Sequence, residues 1–290
     1  MNTKSLMMLK VFLNRYHEKN SKDFTALLPA EDSQALAKIQ IDFNEPNTIL
    51  WDFEKKVGMI HYSWYAPIFK KIPAHEASWM LQVLPRKSAV KLQQVCQIPY
   101  TAVTLSPFAR AFASHYLWKQ IEDPAILPLE FVPQTALSAL MLYSREQLLE
   151  IIDLLGVYDL TERVRHIVDK NGLKSVYSSL KPLELQFLHH CLNQQNKIVV
   201  SPLKLNDWDG DSQKLRQKLH RRGLSRLGYS IKEESSHFLW YFVRKFDTGR
   251  AALLQHCFKE EEIPKKVRGE LIQQLLNLVN FRNKKEIREQ

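Results

Sequence analysis

Residues 144–192 read SREQLLEIIDLLGVYDLTERVRHIVDKNGLKSVYSSLKPLELQFLHHCL, and they hold the clearest structural pattern in the chain. Their apolar side chains recur three and four positions apart, which is the spacing of amphipathic helices. Ser144 followed by Gln147 predicts a capping box at the start of the first helix. Gly156 predicts the end of that helix, because glycine often follows the last helical turn. The segment therefore predicts a mainly α fold.

Two more helices are expected in the same segment. The second begins at Asp159 or Thr161 and stops at Asn171-Gly172, and the third begins at Lys181-Pro182. Connections of only a few residues are typical of helices that pack side by side. The side chains expected on the packed faces are Leu148, Ile151, Leu155, Val164, Ile167, Leu185 and Leu188.

Helical spacing also occurs on both sides of this segment. The other predicted helices on the two sides are 3–18, 30–39, 73–85, 88–97, 106–118, the aromatic helix 238–246 and the residues that follow Pro264. Residues 48–64 are rich in aromatic and β-branched side chains, and their spacing fits either two strands or a buried loop and helix. Residues 198–205 read as a short strand or an extended linker. We expect an irregular multi-helix array with a small β contribution.

Prolines at positions 124, 128 and 133 form the strongest linker signal in the chain. We therefore expect three parts. Residues 1–130 form a mostly helical N-terminal region, 131–262 form a helical domain, and 263–290 form an amphipathic helix and tail.

The composition restricts the environment and the partners. The formal net charge is +10, which suits anionic partners or a basic surface kept for solubility. Three well-separated cysteines without a CxxC pair argue against a disulfide framework and favour a reducing cytoplasm. We expect no membrane span, because the chain has no run of about 18 apolar residues.

Motifs of enzymes and metal sites are missing from the sequence. It contains no GxxxxGK[ST], GxGxxG, HExxH or GxSxG pattern, so we expect no enzyme and no cofactor. Residues 207–211, DWDGD, lack the glycine and glutamate spacing of a calcium loop, and Asp207 or Asp209 is expected to cap a helix. Neither His189-His190-Cys191 nor His256-Cys257 is completed into a zinc-ligand set at usual spacing.

Residues 211–227 predict a helix with a dense cluster of basic side chains. A nucleic-acid-binding helix needs lysines and arginines that face phosphates, and a solvated basic face has the same pattern. Nucleic-acid binding is therefore the alternative function. The residues that would bind the anion are Lys214, Arg216, Lys218, Arg221, Arg222 and Arg226.

Residues 144–190 also resemble the SctK (YscK) family of type III secretion systems. The family has a helix that ends in a Leu-Gly turn, followed by a helix of the ALxxxIRxxV kind. Residues 154–156 match the turn, and 62–73, YSWYAPIFKKIP, resemble the family's N-terminal aromatic-proline stretch. The residues that match the second helix are Leu160, Val164, Arg165 and Val168.

The resemblance implies a non-catalytic adaptor of the secretion apparatus. Such a protein is cytoplasmic and held at the inner membrane through its partners. It links the cytoplasmic domain of the inner-membrane ring to the pod protein of the sorting platform, which carries the ATPase stalk. Cations on the outer faces of the helices would suit an acidic partner. The predicted partner-binding residues are Arg145, Arg163, Arg165, Lys170 and Lys174.

Overall fold

A computed structural model describes residues 3–16, 21–39, 46–99, 104–167, 169–193, 208, 210–260 and 263–289. Within these ranges the chain is mainly helical and forms no strand. The helices in chain order are α1 (Thr3–Tyr16), α2 (Ser21–Ala26), α3 (Ala30–Lys38), α4 (Pro46–Met59), α5 (Ala66–Phe69), α6 (Ala74–Met80), α7 (Arg86–Cys96), α8 (Pro107–Lys119), α9 (Arg145–Val164), α10 (Lys170–Ser179), α11 (Pro182–Leu192), α12 (Ser212–Ile231), α13 (Ser236–Arg244), α14 (Thr248–Lys259) and α15 (Lys265–Glu289).

Helix α12 lies at the centre of the C-terminal half. It packs against α9, α10, α14 and α15, while α11 packs on α9. The crossing of α9 and α12 is close because glycines face it from both helices. A Cβ atom added to Gly223 would lie 1.8 Å from the carbonyl oxygen of Ile152, and one added to Gly156 would lie 2.2 Å from that of Leu219. Only residues without side chains allow the two backbones to approach this closely.

The expected helix end at Gly156 is therefore wrong. Helix α9 continues through Gly156 to Val164, and the glycine serves the crossing. The stop expected at Asn171-Gly172 is also wrong, since these residues form the first turn of α10. Asp169 caps that helix by accepting hydrogen bonds from the backbone N–H groups of Asn171 at 3.2 Å and Gly172 at 2.7 Å.

Several local signals are confirmed. Gln147 N–H donates to Ser144 Oγ at 3.2 Å, and Ser144 N–H donates to Gln147 Oε1 at 2.8 Å, which completes the capping box. Helix α11 begins at Pro182, and α8 begins at Pro107 with Ser106 as its cap. Five of the seven expected packing residues are buried, and two are partly buried, Ile167 and Leu185.

The β contribution expected at 48–64 is wrong. These residues form most of α4 and a short 3-10 helix at Tyr62–Trp64. Phe53, Val57 and Ile60 contact the core at helical spacings of four and three, so tertiary packing outweighs the strand propensity of this aromatic stretch. The segment 198–205 lies outside the described residues.

One hydrophobic core runs through most of the described chain, from Val57 to Val279. Phe238, Phe242 and Phe246, on and after α13, are buried in it. Trp64 Nε1 donates to the carbonyl oxygen of Phe246 at 2.9 Å and so ties the N-terminal half to this core. The three-part division of the chain stays a prediction.

A second, small core lies in α1–α3. Leu6, Leu13 and Leu36 are its buried residues. Lys10 crosses between the helices, and its ammonium group donates to the carbonyl oxygen of Leu36 at 3.1 Å. Among the helices in the described ranges, none combines the length and apolar character needed to cross a membrane.

Candidate functional site: a cleft along helix α12

Helix α12 begins with an aspartate cap. Asp211 Oδ1 accepts hydrogen bonds from the backbone N–H groups of Gln213 at 2.8 Å and Lys214 at 3.3 Å. The cap of this helix is therefore Asp211, and the expected caps, Asp207 and Asp209, lie outside the described residues. A carboxylate here also interacts favourably with the positive end of the helix dipole.

Two of the six predicted anion-binding residues serve the interior. Arg226 and Asp159 are each only 2% exposed, and Arg226 Nε donates to Asp159 Oδ1 at 3.1 Å. Arg222 Nε donates to the other oxygen of Asp159 at 2.6 Å, and Arg226 Nη1 donates to Gln274 Oε1 at 2.6 Å. Buried charges need such partners. These two arginines therefore join α12 to α9 and α15.

The other four predicted anion-binding residues lie on the exposed side of α12. Lys214, Lys218 and Arg221 are exposed and follow each other at spacings of four and three, so they share one flank of the helix. Arg216 is exposed as a residue, but its Nε donates to the carbonyl oxygen of Ser179 at 3.0 Å. The structure thus divides the basic cluster into an inner pair and an outer group.

A cleft of about 720 Å³ opens beside this outer group, and we refer to it as the α12 cleft. Its volume lies in the range of roughly 300–1,000 Å³ that is usual for ligand sites. One continuous face of α12 lines it, together with residues from α9, the start of α11 and the start of α14. The lining residues that bear on binding are Arg216, His220, Arg221, Leu224, Arg250 and Leu253.

A chain of polar contacts forms one wall of the α12 cleft. His220 Nδ1 lies 2.6 Å from Asp153 Oδ1, and Arg250 Nε donates to His220 Nε2 at 2.8 Å. Arg250 Nη1 donates to Asp247 Oδ2 at 2.5 Å. On the other side, Lys181 Nζ lies 3.4 Å from Asp153 Oδ2. The contacts join α9, α12 and α14 to the residue that precedes α11.

These contacts define the tautomer of His220. An arginine side chain only donates hydrogen bonds, so Nε2 of His220 must accept from Arg250. The hydrogen of the neutral ring then lies on Nδ1 and is donated to Asp153. Both ring nitrogens are occupied by neighbouring side chains, and the imidazole bridges α9 and α14.

The aspartates of this wall are held in the ionised form. Burial raises the pKa of Asp153, but the hydrogen bond from His220 and the positive charge and hydrogen bond of Lys181 outweigh it and hold the pKa below its ordinary value. Burial also raises the pKa of Asp247. Hydrogen bonds from the backbone N–H and the guanidinium of Arg250 outweigh burial, so the pKa of Asp247 is lowered overall. The negative charges of the wall are therefore neutralised by cations within the protein.

His61 lies near the Asp247 end of the polar chain. Its Nδ1 accepts a hydrogen bond from the Ser63 backbone N–H at 3.2 Å, which leaves the ring hydrogen on Nε2. His61 is buried, and within the described part of the chain its Nε2 has no hydrogen-bond partner. Burial and the nearby positive charge of Arg145 lower the pKa of His61 to about 4. Arg145 Nη2 itself lies 3.6 Å from Asp247.

A second cavity of about 330 Å³ lies on the other side of the Asp153–Lys181 pair. Glu184 lines both cavities, and its Oε2 accepts a hydrogen bond from the Lys181 backbone N–H at 2.7 Å. Glu146 and Glu150 add further carboxylates to the second cavity, so it is acidic in contrast to the basic rim of the α12 cleft.

The predicted partner-binding residues do not form one patch. Arg145 begins α9 and Arg163 is near its end, so the helix separates them by about 27 Å at 1.5 Å per residue. Arg165 donates to the carbonyl oxygens of Cys191 at 3.3 Å and Leu192 at 3.4 Å, and it therefore caps α11. Lys170 and Lys174 are exposed on α10. Their binding of a partner stays a prediction.

Cys191 and Cys257, considered as metal ligands, are buried in the packed interior, whereas His189, His190 and His256 are exposed. Cys96, Cys191 and Cys257 are free thiols, and burial raises the pKa of Cys191 to about 12. His190 stacks on Phe281 with ring centres 5.4 Å apart. In the described ranges, no group of three or more His, Cys, Asp or Glu side chains is arranged to hold a metal ion.

Sequence reasoning missed the polar chain of the cleft because Asp153, His220 and Arg250 come from three different helices. A signal for the inner pair was present. Asp159 stands in the apolar run LLGVYDL, and a carboxylate on a packed helix requires a cation from elsewhere. The basic helix 211–227 was the obvious source of that cation.

Comparisons with known proteins identify no relative. No family model matches the chain, and neither a curated protein nor a solved structure matches it. The function is therefore inferred from the residues and geometry of this chain alone.

Proposed function

We propose that this chain is a cytoplasmic helical adaptor that binds partner proteins. The observation that carries the proposal is the α12 cleft, where a wall of internally paired charges lies beside exposed cations. Interfaces gain affinity from apolar anchors and specificity from charged rims. The α12 cleft offers both, with Leu253 on its wall and Arg221 at its rim.

The geometry of His220 supports binding over catalysis. A general base needs a nitrogen that can reach a proton of the substrate. Nε2 of His220 already accepts from Arg250, and Nδ1 lies against Asp153. The contacts hold helices in place, which is the role expected in the wall of a binding cleft.

The type III secretion apparatus is the setting we propose for the adaptor. The partners would be the cytoplasmic domain of the inner-membrane ring and the pod protein of the sorting platform. The support is the resemblance of residues 144–190 to the SctK family. Leu154, Leu155 and Val164 are buried, and Arg165 caps α11, so these matching residues belong to the helical scaffold. The matching residue Val168 lies outside the described residues. Gly156 departs from the family pattern because it lies inside α9 and not at a turn.

Co-purification tests this function. An affinity-tagged chain expressed in its own cells should recover the ring and pod proteins. Lys218→Glu combined with Arg221→Glu should reduce that recovery several-fold, because reversed rim charges oppose an acidic partner. Lys265→Glu with Lys266→Glu makes the same change in net charge at exposed positions on α15 and should leave recovery unchanged. Failure of the unmodified chain to recover either partner would refute the proposed setting.

Nucleic-acid binding is the second candidate, and the exposed flank of Lys214, Lys218 and Arg221 favours it. Since Arg222 and Arg226 bind Asp159, at most four of the six predicted cations can face phosphates. The logarithm of the binding constant should then fall with the logarithm of salt concentration with a slope of about −4 or shallower. Fluorescence anisotropy of a labelled duplex measures this slope. Tight, sequence-selective binding at physiological salt would replace the adaptor proposal.

A further inference from the structure

The α12 cleft has the length of a short helix. Its α12 face runs from Gln213 to Leu224, which corresponds to about 16 Å, or three helical turns. The start of α14 forms one wall, and the residues around Lys181 and Glu184 form the other. A groove between helices is a common binding site for an amphipathic helix of a partner.

The floor of the cleft is apolar, and its α14 wall carries an exposed leucine. Leu219 and Leu224 are 3% and 1% exposed, so they belong to the packed interior beneath the groove. Leu253, on α14, is 38% exposed and lines the cleft. A leucine at the side of a groove can bury its remaining surface only when something occupies that groove.

The charges of the cleft favour a negative occupant. Its three carboxylates already have partners within the protein: Asp153 contacts Lys181 and the neutral ring of His220, Asp247 contacts Arg250, and Glu184 contacts Lys181. Arg216 and Arg221 are exposed cations on the groove face of α12, and Lys218 lies on the adjacent flank. The cleft therefore presents positive charge outward, while its negative charge is neutralised within the protein.

We infer that the α12 cleft binds an acidic amphipathic helix of a partner protein, an inference that rests on the adaptor function proposed above. The apolar residues of that helix pack against Leu253 and the floor. Its carboxylates face Arg216, Lys218 and Arg221. Because the polar chain through His220 and Arg250 holds the walls in place, the groove is formed before the partner arrives.

Peptide selection tests this inference even while the partner is unidentified. A phage library of random 16-residue peptides is selected on the full chain and counter-selected on the double variant Leu253→Asp, Arg221→Glu. The selected peptides should be rich in Asp and Glu, with apolar residues three and four positions apart. By anisotropy, their affinity should fall about tenfold in each single variant. Selection of no peptide, or of basic peptides, overturns the inference.

Matched controls separate the cleft from general changes in charge and polarity. Leu142→Asp changes a leucine that is 89% exposed and lies outside the cleft, and Lys266→Glu reverses an exposed lysine on α15. Both should bind the selected peptides as the unmodified chain does. Circular dichroism confirms that each variant is folded. A labelled 16-nucleotide single strand that displaces the peptides, and that itself loses binding in Leu253→Asp, would assign the cleft to nucleic acid and overturn the inference.

The peptide-binding and co-purification results together distinguish failure of the inference about the cleft from failure of the proposed function. If Leu253→Asp loses the peptides but still recovers the ring and pod proteins in cells, the adaptor function stands and the cleft is not its docking site. If the unmodified chain binds acidic peptides through the cleft but recovers neither protein, the secretion setting fails and acidic-helix binding is supported.

Discussion

The two sides of helix α12 use the same residue types for opposite purposes. On the side that faces α9, Arg222 and Arg226 bind Asp159, and Gly223 brings two backbones into contact. On the side that faces the cleft, Arg221 is exposed and Leu224 forms an apolar floor. The cations of this basic helix therefore do not form one surface. The helices packed around it decide which cations stabilise the fold and which remain available to a partner.

The largest effect should come from a side chain placed in the helix crossing. Gly223→Leu should abolish folding or remove more than about 4 kcal/mol of unfolding free energy, because no rotamer moves the Cβ away from the backbone of Ile152. Urea unfolding followed by circular dichroism measures it. Gly269→Ala is the control, since a Cβ at Gly269, in α15, meets nothing within 4 Å. It should gain about 0.5–1 kcal/mol from helix propensity. A stable Gly223→Leu protein would show that the crossing is not close.

Loss of the buried carboxylate should rank second. Asp159→Ala leaves the guanidinium of Arg226 buried without its anion, and such a change costs about 3–4 kcal/mol. The control is Asp211→Ala, which removes an exposed helix cap and should cost about 1 kcal/mol. Equal losses in the two variants would contradict the distinction between the inner and outer sides of α12.

Helix starts could be predicted from the sequence because they depend on a few neighbouring residues. The Ser144–Gln147 box and the Ser106–Pro107 start need only the side chain and the backbone three positions later. Within a helix, prediction from neighbouring residues failed. Gly156 has the local signature of an end, but Leu219, 63 positions later, determines its role. Tertiary contacts of this kind leave no local trace.

The α12 cleft was beyond prediction for the same reason. The sequence indicated a helix rich in basic residues, and Asp159 in an apolar run signalled a need for a cation, but no local pattern showed which of the basic residues Asp159 binds. Asp153, His220 and Arg250 are separated by 67 and 30 positions along the chain. Only the packing of α9, α12 and α14 brings them together, and no spacing rule for one helix describes it.

The third prediction concerns pH at the Asp247 end of the cleft. Because the folded pKa of His61 is lowered to about 4, the unfolded chain binds more protons between pH 6.5 and 4. The contribution of His61 to stability should thus be constant above pH 6.5 and fall by about 2–3 kcal/mol as the pH drops to 4. His61→Asn, which keeps an acceptor for the Ser63 N–H, should show a flatter curve in this window. If the curves of stability against pH run parallel for the original chain and His61→Asn, His61 is not buried in its neutral form.

The titration of two carboxylates should govern stability in a separate, lower range of pH. The pKa values of Asp153 and Asp247 are lowered in the folded protein, so their contribution to stability is complete above the ordinary value of about 3.9. It is lost as the pH falls below that value, in the original chain and in His61→Asn alike. The two windows can therefore be separated in one series of urea unfolding curves.

The smallest effect should come from the exposed cations of the cleft rim. Lys218→Glu with Arg221→Glu should change the free energy of unfolding by no more than about 0.5 kcal/mol, since exposed charges contribute little to stability. Arg221 and Arg222 are adjacent in sequence, yet the first is exposed and the second donates to a carboxylate that is 2% exposed. Arg222→Glu should therefore cost at least several times more, because it places two carboxylates together at Asp159. The same unfolding measurements compare the variants directly. If the rim variant loses as much stability as Arg222→Glu, then Lys218 and Arg221 stabilise the fold and are not available to bind a partner.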